Sequence, residues 1–133
     1  SERTQTMTET TLLAAYGLLV MLTILLQVLG ATRQLSMGYL MSSRDETRTT
    51  TGMTARLGRA VDNSVVAMAL FAPAVLLIEM LGRNNSATLL AAQVFLLARI
   101  IYVIVYALGV PTIRTLAWLA GYAATAVLYF HAL

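Results

Sequence analysis

An all-α membrane protein, a bundle of four transmembrane helices, is the fold this sequence predicts, on three observations. The chain of 133 residues is 59% hydrophobic and 11% charged, whereas a soluble domain carries about 25% charged residues. So little charge cannot cover a water-soluble protein of this size, and the mean hydropathy of +0.77 agrees. The apolar residues are also clustered. Thr10–Thr32 and Thr115–Leu133 contain no charged residue, and each is long enough for the ~20 residues that cross a hydrocarbon core. Third, two further apolar runs lie between them, set apart by Gly, Pro, Asn and Arg. The length predicts a single domain over 1–133.

Taken in order, helix 1 is expected over residues 10–29, apolar all round and closed by Gly30-Ala31, with Arg33 at the membrane face. It is too long for the apolar region of a signal peptide and lacks a basic lead-in, so it reads as a mature helix. Residues 1–6 precede Met7, which reads as a native start, and they carry no weight in the fold. Residues 30–53 read as a long polar connection holding Arg44, Asp45, Glu46 and Arg48. Loops of that length are uncommon unless functional or disordered. Helix 2 is expected over 54–81, with Pro73 inside it. A membrane helix tolerates proline where neighbours re-satisfy the freed carbonyl. Ser86 is the expected N-cap of helix 3, which runs over 86–108. Gly109-Val110-Pro111 breaks the chain, and Pro111 suits the first turn of helix 4, over 111–132. No internal repeat is visible.

Composition also excludes functions. There is no cysteine, hence no disulfide, thiolate metal site or protein thiol nucleophile. The basic residues are all arginine and the pI is about 9.7. They sit at membrane boundaries rather than along one aromatic-interleaved surface, so nucleic acid is not an expected partner. His131 reads as an isolated outer-interface residue, and no metal site is expected. Arg33, Arg44, Arg48 and Arg56 crowd the first connection, Arg114 marks the third, and the second has only Arg83. The positive-inside rule then puts the first and third connections in the cytoplasm and both termini outside.

The anomaly is a group of polar residues inside the apolar helices. Arg56, Arg59 and Asn63 on helix 2 are spaced i, i+3, i+7, and so are Arg99, Tyr102 and Tyr106 on helix 3. Each trio shares a helix face. Asn63 lies roughly 12 Å in from the start of helix 2 and Tyr102 roughly 9 Å from the end of helix 3, at 1.5 Å per residue. Both rows are thus at similar depth in the cytoplasmic half, on the side that Arg114 caps. Several guanidinium groups with two phenols describe a pocket for a small anion, since arginine binds carboxylates in bidentate fashion and stays charged. Plainer roles stand beside this one. Arg33, Arg44, Arg48 and Arg56 read equally as positive-inside anchors. Tyr106 reads as a belt aromatic like Trp118, Tyr122 and Tyr129. Asp62 reads as a neutraliser of Arg59 or Arg99, and Glu79 as facing headgroups or Arg83. Arg99, deep in an apolar helix, has no plain role.

These motifs resemble those of the MAPEG proteins, membrane-associated proteins in eicosanoid and glutathione metabolism that include microsomal glutathione transferase. R-A-x-x-N is Arg59-Ala60-Val61-Asp62-Asn63. A-R-x-x-Y-x-x-x-Y starts at Ala98-Arg99 and ends at Tyr106, and Arg114 follows at the start of helix 4. The resemblance covers the chain in helix number, order and first loop, and the compact length is that of a bacterial-type member in an inner membrane. It implies a homotrimer with a glutathione site between subunits, open to the cytoplasm and to lipophilic substrates from the bilayer. By position, Arg59, Asn63, Arg99, Tyr102 and Tyr106 would cradle the tripeptide, with Arg33 contributing from helix 1. Arg114 would be the catalytic residue, stabilising the thiolate. A cysteine-free chain can do thiol chemistry when the substrate brings the sulfur, and a guanidinium favours its charged form.

The pattern departs at two places. The well-known enzymes continue R-A-x-x-N-x-x-E, and the acid position is Val66 here; Val61 stands where animal members commonly have histidine. Two readings of the same fold follow. One is a glutathione-dependent transferase or peroxidase for lipophilic electrophiles. The other is a non-catalytic or differently liganded protein that binds a lipid or another anion. A small multidrug exporter is a more remote third reading. Such exporters couple to protons through a carboxylate in helix 1, and residues 10–29 contain none.

Overall fold

The computed structural model describes residues 8–133, and the reading of residues 1–6 falls outside them. Five helices follow one another: α1 (Glu9–Leu35), a short α2 (Met37–Met41), α3 (Gly52–Leu81), α4 (Ser86–Leu108) and α5 (Pro111–Ala132). The four long ones are each long and apolar enough to cross a membrane. α1 packs on α3 and α4, α3 on α4 and α5, and α4 most extensively on α5.

Two of the sequence boundaries are corrected. α1 runs through Gly30 and ends at Leu35, so much of the stretch taken as connection is helical, and α2 takes five residues more. Gly30 does not stop the helix because its role is contact: a Cβ there would run into the Thr54 side chain of α3. Gly30→Ala is therefore expected to force α1 and α3 apart, at about 1–3 kcal/mol for an overpacked contact. A lowered thermal midpoint in detergent would register it. α1 also begins one residue early, at Glu9, whose buried carboxylate accepts a hydrogen bond from Thr88 Oγ1. Helix 1 thus does hold an acid, but in its first turn and tied to α4.

The remaining connection, 42–51, is organised around two side chains. Gln34 brackets Thr51, donating to its carbonyl at 3.1 Å and accepting from its N–H at 2.8 Å. The Tyr39 hydroxyl donates to the Glu46 carbonyl at 2.7 Å and accepts from the Arg48 N–H at 3.0 Å.

Asn85, not Ser86, caps α4. It forms a capping box with Thr88 that satisfies two orphan donors reciprocally. The other end of α4 closes on Gly109 at φ 79°, a left-handed conformation that costs glycine little, while Val110 N–H reaches back to the Val105 carbonyl at 2.9 Å. Within α3, Pro73 removes the donor that would meet the Ala69 carbonyl. The Tyr129 hydroxyl of α5 donates to the next carbonyl, Leu70, at 2.6 Å. Glu79 takes Asn84 at 3.3 Å rather than Arg83, which reaches the Ala132 carbonyl at 3.1 Å.

The core has two parts. The larger joins Leu12 and Tyr16 of α1, Phe71, Val75 and Ile78 of α3, Phe95 of α4 and Leu128 of α5. Phe71 and Phe95 stack 3.8 Å apart, and Tyr16 stands edge-on to both. The smaller part gathers Ala60, Tyr102, Val103 and Ala117, with Tyr106 against it. Small residues stand at particular close approaches, Gly30 against Thr54 and Ala60 and Ala117 in the smaller core, as expected where lipid supplies no hydrophobic drive and close packing must hold the bundle. Ala60 of the R-A-x-x-N motif is wholly buried.

Candidate functional site

The centre of the site is Arg99. It is 1% exposed, in the middle of a helix of membrane-spanning length. Its guanidinium lies 4.1 Å from the Tyr102 ring centroid. Tyr102 meets Tyr106 edge-on at 5.4 Å, and the Arg114 guanidinium lies 4.8 Å from the Tyr106 ring. Two cations therefore bracket two phenol rings in one column. The helical spacing of 99, 102 and 106 builds three members along one face of α4. Tyr102 is 4% exposed, while Tyr106 and Arg114 are half-buried. The column thus rises from a sealed cation to an accessible one near the Gly109-Val110 turn. Cation–π contacts are worth about 2 kcal/mol when desolvated, enough to hold these side chains in register.

Arg99 is steadied by a contact the sequence did not suggest. Its Nη2 donates to Ser64 Oγ at 3.2 Å. The Ser64 carbonyl accepts the Tyr16 hydroxyl at 2.7 Å. Ser64 and Tyr16 are fully buried, so α1, α3 and α4 are joined around the guanidinium. Ser64 follows Asn63 in an apolar run and Tyr16 lies in an all-apolar helix, so no sequence signal marks either. Gly121 of α5 packs against the Arg99 stem: a Cβ there would lie 3.5 Å from Arg99 Cδ, at ordinary contact distance.

Asn63 joins this group. It lines a cavity of about 80 Å³ together with Arg99, Val66, Gly121, Trp118 and Tyr122. Asn63 Oδ1 and Arg99 Nε are buried there with no hydrogen-bond partner among the described residues. Val66 falls in this cavity, beside Arg99 and Asn63 rather than on the Arg59 side.

Arg59 and Arg33 are not brought to the column. Arg59 is exposed and lines a separate cleft of about 640 Å³ between α1, the α2 segment and the start of α3, with Arg44, Arg48, Gln27 and Asp62. Arg33 is exposed in the last turn of α1 and makes no hydrogen bond or ion pair among the described residues. The expected neutralising role of Asp62 is corrected. Among the described residues the ion pair is Arg48–Glu46 at 3.2 Å, and Asp62 pairs with neither Arg59 nor Arg99. It sits on the exposed side of α3, turned toward the cleft. Arg56 is tied inward: its Nε donates to the Ala107 carbonyl at 2.9 Å, in the last turn of α4, where the helix dipole favours a cation.

The arrangement can hold an anion against Arg114 and Tyr106 and can favour the charged form of an acid placed there. The model of the MAPEG family matches residues 11–133, nearly the whole chain. No curated protein matches the chain in sequence.

Proposed function

The chain belongs to the MAPEG family and is an integral membrane protein, and from that premise we propose that it is a glutathione-dependent transferase or peroxidase acting on lipophilic electrophiles. The observation that carries this reading is the Arg99–Tyr102–Tyr106–Arg114 column, which leads from a sealed cation to an accessible one. Its donor set suits the tripeptide: Arg114 and the Tyr106 phenol at the open end, and the Asn63 amide with an unpartnered polar atom behind them. When bound, glutathione supplies the sulfur that this cysteine-free chain lacks.

Each side chain then has a stated role. Arg114 stabilises the thiolate, because a nearby guanidinium favours the charged form. Asn63 orients the tripeptide backbone. Tyr102 and Tyr106 wall the site, and Arg99 holds Tyr102 in place from below. Arg59 and Arg33 belong to the outer surface of the single protomer and serve as carboxylate donors across a subunit boundary. This reading therefore includes a homotrimer, in which one protomer's α1–α3 cleft faces the next protomer's column. The arginine-rich first connection faces the cytoplasm of an inner membrane, with both termini outside. Lipophilic substrate arrives from the bilayer along the apolar faces of α4 and α5, where Leu97, Ile101 and Leu116 are exposed.

One observation favours a second reading within the family. Val66 puts an apolar side chain beside Arg99 where the well-known enzymes carry an acid, and this suits a differently liganded, non-catalytic protein. Isothermal titration of the detergent-purified protein with glutathione separates the two. The enzyme reading expects saturable heat at millimolar glutathione, with thiolate absorbance in the near ultraviolet that grows as sites fill. Neither signal at that concentration would leave the second reading.

A further inference from the structure

We propose that the exposed face of α4 is a docking surface for the α4 of a second copy of this chain, held in register by a hydrogen bond between the two Gln93 amides. Leu90, Gln93, Leu97, Ile100 and Ile104 are all exposed. Their alternating spacing of three and four residues is the repeat of a helix–helix seam, with Gln93 its single polar member. Gln93 lies about 10 Å in from the start of α4, at 1.5 Å per residue, in a helix of membrane-spanning length. An amide at that depth is costly, because hydrocarbon offers its N–H and C=O groups no partner. The other amides of the long helices are placed differently. Gln34 brackets Thr51, Asn63 lines the Arg99 cavity and Gln27 lines the α1–α3 cleft. Gln93 is exposed and makes no hydrogen bond among the described residues.

A second copy meets this need for a geometric reason. All copies insert with one orientation, because each carries the same arginine distribution. Two α4 helices packed face to face are therefore parallel, and identical residues meet at identical depth. The two Gln93 side chains then face each other. A carboxamide is its own complement, since it carries an acceptor oxygen and two donor hydrogens. One polar residue in an otherwise apolar seam fixes register, and amide hydrogen bonds hold helices together where lipid gives no hydrophobic drive. A two-fold axis along the membrane normal makes the contact isologous, the same patch on both sides. The arginine–tyrosine column takes no part. Tyr102 follows Gln93 by about two and a half turns and so points to the opposite side of α4, where it is buried. Val94 and Ile101 flank the seam on the α5 side, where they line an apolar groove of about 300 Å³ with Leu116 and Ala117. That groove stays open to lipid and substrate, and the contact is independent of glutathione binding.

The chain has no cysteine, so a single introduced thiol reports one contact. Leu90→Cys, Leu97→Cys and Ile104→Cys are oxidised with copper phenanthroline in membranes of the expressing cell, where every copy keeps one orientation. Leu25→Cys on α1 and Leu119→Cys on α5, also exposed, are the comparison. The three seam variants are expected to give a disulfide-linked species of twice the chain's mass, and the other two only a collisional background. Adding Gln93→Leu to Leu97→Cys is expected to lower the yield of that species at least about threefold. Gln93→Asn, which keeps an amide, is expected to restore part of it. Gel filtration in detergent identifies which variants fold, and the three seam positions report independently. Equal yields from seam and comparison positions would overturn the proposal. So would linkage to a different membrane protein, or a yield that Gln93→Leu leaves unchanged.

Discussion

Arg114→Ala is expected to lower turnover with a lipophilic electrophile by about two orders of magnitude while glutathione affinity changes only a few-fold. The magnitude follows from removing one charged group aimed at a developing anion, which costs about 10²–10³ in kcat. Affinity is spared because Asn63 and the tyrosines remain, and the tripeptide's own charges are held by other arginines. Arg114 is half-buried at the open end of the column, with its guanidinium 4.8 Å from the Tyr106 ring. The ring restrains the cation without neutralising it. The check is steady-state kinetics with stopped-flow measurement of thiolate absorbance. The variant should lose the thiolate signal at neutral pH and recover part of it at alkaline pH, where the thiol ionises unaided. Unchanged turnover and unchanged thiolate would remove Arg114 from the mechanism.

Arg99→Met is expected to abolish detectable glutathione binding and yet lower the thermal midpoint by only a few degrees. Most substitutions of a fully buried residue destabilise, typically by 0.5–3 kcal/mol. Here opposing terms largely offset one another, with a modest balance in favour of the wild type. The lost hydrogen bond to Ser64 contributes about 1.5–3 kcal/mol when one partner is charged, and the lost stack on Tyr102 about 2 kcal/mol. Against them stands relief from burying an unpaired cation, where replacement of buried charges by apolar side chains is often stabilising by about 1–4 kcal/mol. Binding suffers because Tyr102 loses the contact that positions it, at 4.1 Å from the guanidinium. Titration calorimetry and thermal unfolding in detergent report the two effects separately. A midpoint many degrees below wild type would mean that Arg99 is a structural tie rather than a cation kept at a cost for function.

Both expectations depend on how the two polar rows actually meet. Along α4 the spacing was sufficient: Arg99, Tyr102 and Tyr106 share a face because 3.6 residues make a turn, and they do form one column. The same argument applied to α3 put Arg56, Arg59 and Asn63 together, and there it was too coarse. The three part company. Arg56 reaches the end of α4, Arg59 turns to the α1 cleft and Asn63 enters the cavity of Arg99. Long arginine stems and a drift of tens of degrees per repeat allow neighbours on one helix face to choose different partners. The choice is made by which helix lies opposite, and spacing does not contain that.

The sequence by itself determined the number of long helices, their apolar character, the turn at Gly109 and the family, because hydropathy, glycine and proline act over a few residues and leave a local record. It also located the cation that has no plain role, since a charge in an apolar run is visible without any partner. The tertiary structure decided the rest. It extended α1 past Gly30, because a glycine there admits Thr54 rather than ending the helix. It denied Arg99 the carboxylate of Asp62 and provided Ser64 instead, with Tyr16 bonded to the Ser64 carbonyl. And it set Val66 against the unsatisfied edge of that arginine. Those outcomes turn on contacts between helices dozens of residues apart, where a difference of one hydrogen bond or one methyl group selects the partner.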